Sequence, residues 1–258
     1  EYPPFIIQLP TTGDYTRYEI YTDLHDFIKS DSTIENPEEL ICMMDVDGII
    51  SPINIMHTYT PKYLIDPDLN SLLSIHNLPC TPIGVMYMLE NTLGDLAGLS
   101  VTILGRSELV TKPLQEFLID IDCKVTMCHS RVADEDIKNA INECNILISA
   151  IGNPDLLTYK IFENIDVSNK VLIDIGINRV NGKLQGDCNP DIASQFKYYT
   201  PVPGGVGPMT VAMLMCNVIK YYQKTYKSNY AGAIQPIYPL SMSPKNIEIY
   251  KYFTNPFN

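Results

Sequence analysis

The sequence predicts an α/β protein built on a parallel sheet with helices on both faces, and three observations carry that prediction. From residue 99 onward four largely apolar runs, LSVTILG, KVTMCHS, NILISAIG and KVLIDIG, alternate with other segments, two of them of helical pattern. Strands that read as near-continuous apolar runs are buried on both faces, the condition of a parallel sheet between two helical layers. Three of the four runs end in glycine, so the chain turns sharply at the carboxyl edge, where open parallel sheets bind ligands. At 258 residues the chain has room for one large domain or two small ones.

In chain order, FIIQLP (5–10) reads as a buried strand closed by proline, with Gln8 the polar side chain near its end. Residues 11–39 are polar with little periodicity, MMDVDGIISPIN (43–54) reads as loop and short strand, and 59–77 as a surface insertion. PCTPIGVMYMLENT (79–92) turns into a helix with Thr81 as its cap and Pro82 in its first turn. LSVTILG (99–105) is then a strand, and GRSELVTKPLQEFLID (105–120) a glycine turn opening a helix. KVTMCHS (124–130) is a second strand, and DEDIKNAINEC (134–144) a helix whose acidic start complements its positive end. NILISAIG (145–152) and KVLIDIG (170–176) complete the series. TPVPGGVGPMT (200–210) crowds three prolines and three glycines before a long apolar helix, TVAMLMCNVIKYYQKTY (210–226). Such a segment is rigid and poor in side chains, which lets a ligand approach its backbone closely. From 231 no pattern is legible.

Composition narrows the function classes. Apolar residues make up 45% and charged residues 19%, enough for a packed core. The formal net charge of -12, from 18 basic and 30 acidic side chains with no basic block, repels phosphate backbones and argues against nucleic acid. No apolar run approaches the length of a membrane span, and the opening EYPPFIIQLP lacks the basic start of a targeting sequence. Seven cysteines, an odd count, point to free thiols in a reducing compartment, hence the cytoplasm. The histidines stand singly and no HExxH pair occurs, so the spacing points to no metal site.

The strand-end loops carry the chemistry: GRSE, CHSR, SAIGNP and DIGINR. Gly105, Arg106 and Ser107 sit where a dinucleotide enzyme places its phosphate-binding turn. The triple-glycine fingerprint is absent, so the turn alone reads equally as an ordinary strand-to-helix connection. At the end of the second strand, NAD usually meets an acid. Here stand His129, Ser130 and Arg131, and hydroxyl and guanidinium groups favour the 2'-phosphate of NADP. NAD stays possible, with Arg131 then a solvated surface side chain.

Together these residues resemble the methylenetetrahydrofolate dehydrogenase/cyclohydrolase family, called FolD in bacteria. DVDG (45–48), PCTPIG (79–84), ILGRSELV (103–110), CHSR (128–131), DIGINR (174–179) and TPVPGGVGPMT (200–210) occur in the family's order. The resemblance implies a two-domain α/β fold, with a Rossmann-like NAD(P)-binding domain, a smaller α/β folate-binding domain and a cleft between them. It places the folate-binding domain at 1–90, the NAD(P)-binding domain at 91–209, and a helix and tail returning to the first domain at 210–258. The implied reaction is NADP-dependent oxidation of 5,10-methylenetetrahydrofolate to 5,10-methenyltetrahydrofolate, followed by hydrolysis to 10-formyltetrahydrofolate.

Carried over position by position, the resemblance gives Asp47 the pterin and Gln8 a part in the chemistry, with Leu9 beside it at the substrate. Pro203, Gly204, Gly205 and Pro208 line the substrate side of the cleft. Gly105, Arg106, Ser107, His129, Ser130, Arg131, Ala150, Ile151, Gly152, Ile177, Gly205 and Thr210 form the cofactor set. The implied partners are the folate substrate and a second copy of the chain, in a homodimer. The lesser alternative is that Asp47 closes an Asx turn with Gly48 and that Gln8 packs at a strand end.

Two departures from the family pattern stand out. Thr111 replaces a glycine, which narrows the phosphate site or shifts the helix. In the family a helix bearing a Tyr-x-x-x-Lys pair precedes the QLP strand, and its lysine is central to the hydrolysis. Residues 1–5 supply neither, so the resemblance implies an upstream segment or a second chain that does. Residues 13–39 and 59–77 exceed the family's usual connections and read as surface loops. The competing readings are a dehydrogenase-only NAD-dependent member, a catalytically silent folate- or nucleotide-binding homologue, and a structural subunit. Retention of Gln8, Asp47 and the proline-glycine loop weighs against a silent scaffold, which has no physical need of them.

Overall fold

The computed structural model describes residues 78–226 except Asp155, together with Asp26, Lys29, Ser30 and Asp45. The FIIQLP strand with Gln8 and Leu9, the DVDG residue Asp47, the insertion at 59–77 and the tail lie outside the described residues. Two compact units divide the chain: Thr81–Val211 belongs to one, and residues 78–80 and 212–226 to the other.

The elements run α1 (Cys80–Leu93), β1 (Ser100–Leu104), α2 (Thr111–Asp120), β2 (Lys124–Cys128), α3 (Asp134–Glu143), β3 (Ile146–Ser149), α4 (Tyr159–Phe162), β4 (Val171–Asp174), β5 (Asn178–Val180), β6 (Lys183–Gln185), α5 (Pro190–Ala193), β7 (Tyr198–Tyr199) and α6 (Val206–Tyr226). One parallel sheet orders its strands β2-β1-β3-β4-β7. In register, Thr102 pairs Thr126 and Leu147, and Leu147 pairs Leu172. Every residue of β3 and β4, and all of β1 after Ser100, is buried, as the apolar runs predict.

β2 differs from that expectation. It pairs only with β1 and buries only Cys128 fully, because an edge strand has a neighbour on one side alone. On one side of the sheet, Leu104, Leu147 and Leu172 share a core with Ile137 and Ile141 of α3, Ile161 and Phe162 of α4, and Phe196. The Phe162 and Phe196 rings meet edge to face at 5.8 Å, a geometry that adds specific attraction to the area buried.

Two readings of the sequence need correction. Thr81 is not a cap: α1 already starts at Cys80, and the Thr81 hydroxyl lies 3.0 Å from that of Thr210. Since Thr210 Oγ1 donates to the Val206 carbonyl at 3.1 Å, Thr81 is the donor of that pair. The proline-glycine loop is shorter than its motif, for α6 starts at Val206 and takes in Pro208 and Thr210. Proline is tolerated in a first turn because the amide it lacks has no intrahelical partner there. The strand-end loop DIGINR runs into an element that the sequence reading does not contain, an antiparallel hairpin of β5 with β6 over 178–185. Its two-residue turn, Asn181 (φ 51°) and Gly182 (φ 79°), has the left-handed pair that matches strand twist.

In the other unit, Asn217 Nδ2 donates to the Leu78 carbonyl at 3.1 Å and lies 3.6 Å from Cys80 Sγ. Among the described residues no helix is long and apolar enough to cross a membrane.

Candidate functional site

The strand order reverses direction between β1 and β3, since the chain leaves β1 toward β2 and later returns on the other side. Open parallel sheets bind ligands at the carboxyl ends flanking such a switch point. Two loops meet there, 105–110 after β1 and 150–153 after β3. Gly105 sits at φ 129°, and a Cβ on it would lie 2.7 Å from the Ala150 carbonyl oxygen. Only glycine fits, on both counts. The Gly105 amide donates to the Cys128 carbonyl at 2.8 Å, which carries the β1–β2 ladder to the residue before His129.

The turn after Gly105 is clamped from below. The Ser107 carbonyl accepts from the Lys112 amide and from Thr111 Oγ1, both at 3.1 Å, and Ser107 Oγ accepts from the Leu109 amide at 3.2 Å. Glu108 pairs with Lys112 on the surface. Helix α2 therefore opens at Thr111, after a turn at 108–110, and not directly from the glycine. Thr111 is wholly buried, and its methyl carbon lies 3.3 Å from where a Gly105 Cβ would be. It fills volume beneath the turn. The amides of Arg106 and Ser107 donate to no described residue. At the end of β2, His129, Ser130 and Arg131 are exposed, and His129 Nδ1 accepts from the Arg131 amide at 3.2 Å.

The loop after β3 is held by a residue that the sequence reading did not single out. Asp187, fully buried just beyond β6, accepts from Ser149 Oγ (2.8 Å), the amides of Ile151 (2.8 Å), Gly152 (3.3 Å) and Asn153 (3.0 Å), and Asn178 Nδ2 (3.0 Å). A second buried acid, Asp174 at the end of β4, accepts from the amides of Gly176 (3.1 Å), Asp187 (3.0 Å) and Cys188 (2.9 Å). The two acids interlock through glycines: a Cβ on Gly176 would run into the Asp187 carboxylate, and one on Gly186 into that of Asp174. The available sequence signals were the DIG and GD pairs at opposite ends of the hairpin and the Asn181-Gly182 turn between them.

Burial pushes the Asp174 carboxyl up to about 6, against the Cys188 and Asp187 amides that favour its charged form. Burial also raises the Cys188 thiol beside the two acids. Because Asp174 titrates above its ordinary 3.8, the folded state holds a proton that the unfolded chain has released. Its favourable contribution is complete below the unfolded value and is lost as pH rises through about 6. Relative to Asp174→Asn, the wild type is therefore expected to gain about 1 kcal/mol of stability on going from pH 7 to pH 5. Urea unfolding of both proteins at the two pH values checks this, and a pH-independent difference would count against it.

The proline-glycine loop hooks onto the same strand end, since the Asp174 amide donates to Thr200 Oγ1 at 2.8 Å. Gly204 sits at φ 113°, and buried Gly205 closes the turn by donating to the Pro201 carbonyl at 2.8 Å. Pro203 and Pro208 are exposed. Of the sequence-predicted residues, Gly105 and Ala150 are thus in backbone contact, and Ile151 and Gly152 hang from Asp187. Thr210 meets Thr81, and Ile177, 65% exposed, lies just before the hairpin.

Residues 79–226 match the family model described as tetrahydrofolate dehydrogenase/cyclohydrolase, NAD(P)-binding domain. A bifunctional protein FolD of Rickettsia canadensis is 36% identical over 188 residues, 72% of this chain and 59% of that protein. The chain thus spans about three-fifths of that relative's length. The FolD of Bacillus licheniformis is 37% identical over 224 residues, 85% of this chain and 70% of that one. Among solved structures, the bifunctional FolD methylenetetrahydrofolate dehydrogenase/cyclohydrolase of Campylobacter jejuni matches 82% of this chain and 75% of its own, with 30% identity and a TM-score of 0.60.

Proposed function

The chain belongs to the tetrahydrofolate dehydrogenase/cyclohydrolase family, and on that premise we propose that it oxidises 5,10-methylenetetrahydrofolate to the methenyl form with NADP. Hydrolysis to 10-formyltetrahydrofolate follows where an upstream segment supplies the lysine. The observation that carries the reading is the Gly105 turn at the switch point, whose backbone approaches the β3 loop too closely for any other residue and whose Arg106 and Ser107 amides find no described acceptor. Two amides with no acceptor among the described residues, beside a guanidinium, are what a pyrophosphate needs, so these residues fit a dinucleotide.

In this reading bound NADP supplies the ring that accepts the hydride. The β1 turn orients its pyrophosphate, and Ser130 with Arg131 receives the 2'-phosphate. The loops at 150–152 and 200–205 shape the other end. Hydride transfer requires reacting carbons roughly 3–3.5 Å apart, so bare backbone there is an advantage. Asp47 holds the pterin, and Gln8 serves the hydrolysis, in which water attacks and protons move. The same reading assigns 1–90 to folate, 91–209 to the nucleotide and 210–258 to the returning helix and tail. It makes the protein a homodimer of the cytoplasm, where the six cysteines among the described residues, five of them buried, stay reduced.

The test is methylenetetrahydrofolate-dependent reduction of NADP by the full-length protein; no turnover with either cofactor would sink the reading. Arg131→Ala is expected to weaken NADP ten- to a hundredfold and NAD by less than about twofold, as loss of a charge-assisted contact of about 1.5–3 kcal/mol requires. Equal dissociation constants for the two cofactors in the wild type would refute the NADP assignment.

A further inference from the structure

We propose that Asp187 is a positioning residue for the nicotinamide half of the cofactor site, holding the loop after β3 in place from behind without touching the cofactor. This rests on the cofactor reading above. A carboxylate only accepts, and Asp187 accepts five hydrogen bonds: Oδ2 from the Ser149 hydroxyl and the Ile151 and Gly152 amides, Oδ1 from the Asn153 amide and the Asn178 side chain. The amides of Ile151, Gly152 and Asn153 therefore face the protein and not a ligand.

One consequence is specificity of placement. A loop with its donors committed to a buried carboxylate offers no nest for a phosphate, and the negative charge behind it repels one. The pyrophosphate is left to the Arg106 and Ser107 amides across the switch point. Another consequence is precision. The Ala150 carbonyl abuts Gly105, so the height of the 150–152 loop sets its distance from the phosphate turn, and Asp187 sets that height. The hairpin delivers this acid because Asn178 and Gln185 pair at its open end, two residues before Asp187.

The adenine end of the site lies on other elements, the β1 turn and the residues after β2. Asp187→Asn, which presents an NH2 to a cluster of donors, is therefore expected to separate two ligands. NADP should bind at least tenfold more weakly, while adenosine 2',5'-bisphosphate should bind within about twofold of wild type. Ser149→Ala removes one of the five donors and spares the rest, so it should fold and show a smaller loss, about threefold, for NADP alone. Calorimetric titration of wild type and both variants with both ligands reads the result. Equal weakening of both ligands, in either variant, would make Asp187 merely structural and overturn the proposal. So would unchanged NADP binding in Asp187→Asn. Failure of the wild type to bind NADP would instead overturn the underlying cofactor reading, and this inference with it.

Discussion

Alanine at Gly176 is expected to lower the stability of the protein by about 3–5 kcal/mol, a large share of the roughly 5–15 kcal/mol that a typical domain has. The added carbon would run into the Asp187 carboxylate, which is fully buried and bonded to five donors. Displacing it leaves a buried charge short of its partners, the circumstance in which a broken polar cluster is most destabilising. Relief by backbone movement is limited, because the Gly176 amide is itself tied to Asp174 and Asp174 to the amides of Asp187 and Cys188. Gly182→Ala is the control. Gly182 has φ 79°, but no described atom beyond its chain neighbours would lie within 4 Å of an added Cβ, so it should lose only the conformational term, about 1–2 kcal/mol. Urea midpoints decide the matter: comparable losses in the two variants would show that the interlocked acids hold little together.

That contrast shows what could be read in the chain and what could not. β1, β3 and β4 were legible because burial on both faces leaves an unbroken apolar signature, and α3 because its three opening acids mark a helix start. The phosphate turn was legible as a glycine at a strand end, though not the reason for the glycine, which is the Ala150 carbonyl 45 positions later. β7 was not legible, since two residues carry no periodicity. The Asp187 cluster was not either: its members come from 149 to 187, and nothing local in GDCNP says which amides the acid will meet. Asn181-Gly182 did announce a hairpin, and a hairpin there would have brought DIG and GD side by side. Gln8, Leu9 and Asp47 lie outside the described residues, and their roles stay with the family pattern.

Two of the three glycines in TPVPGGVGPMT, Gly205 in the loop and Gly207 in the first turn of α6, have different reasons to exist, and alanine should separate them. Gly205→Ala is expected to lower stability by about 2–4 kcal/mol. A Cβ there would sit 2.7 Å from the Pro201 carbonyl oxygen and 2.8 Å from Thr200 Cβ, and Thr200 is anchored to the Asp174 amide, so neither neighbour can yield. Gly207 is the opposite case. It is exposed, it lies in the first turn of α6, and no described atom outside its own helix would meet its Cβ. Folding gains nothing from glycine there, and alanine should stabilise the helix by up to about 1 kcal/mol. If Gly207 is bare because a flat ring passes over it, Gly207→Ala should leave the urea midpoint unchanged or higher and still reduce turnover by tenfold or more, since misplacing the reacting carbons by about 1 Å costs on the order of a hundredfold. Turnover at the wild-type rate in Gly207→Ala would place the rings elsewhere, and would leave the loop's glycines explained by the closure of its own turn.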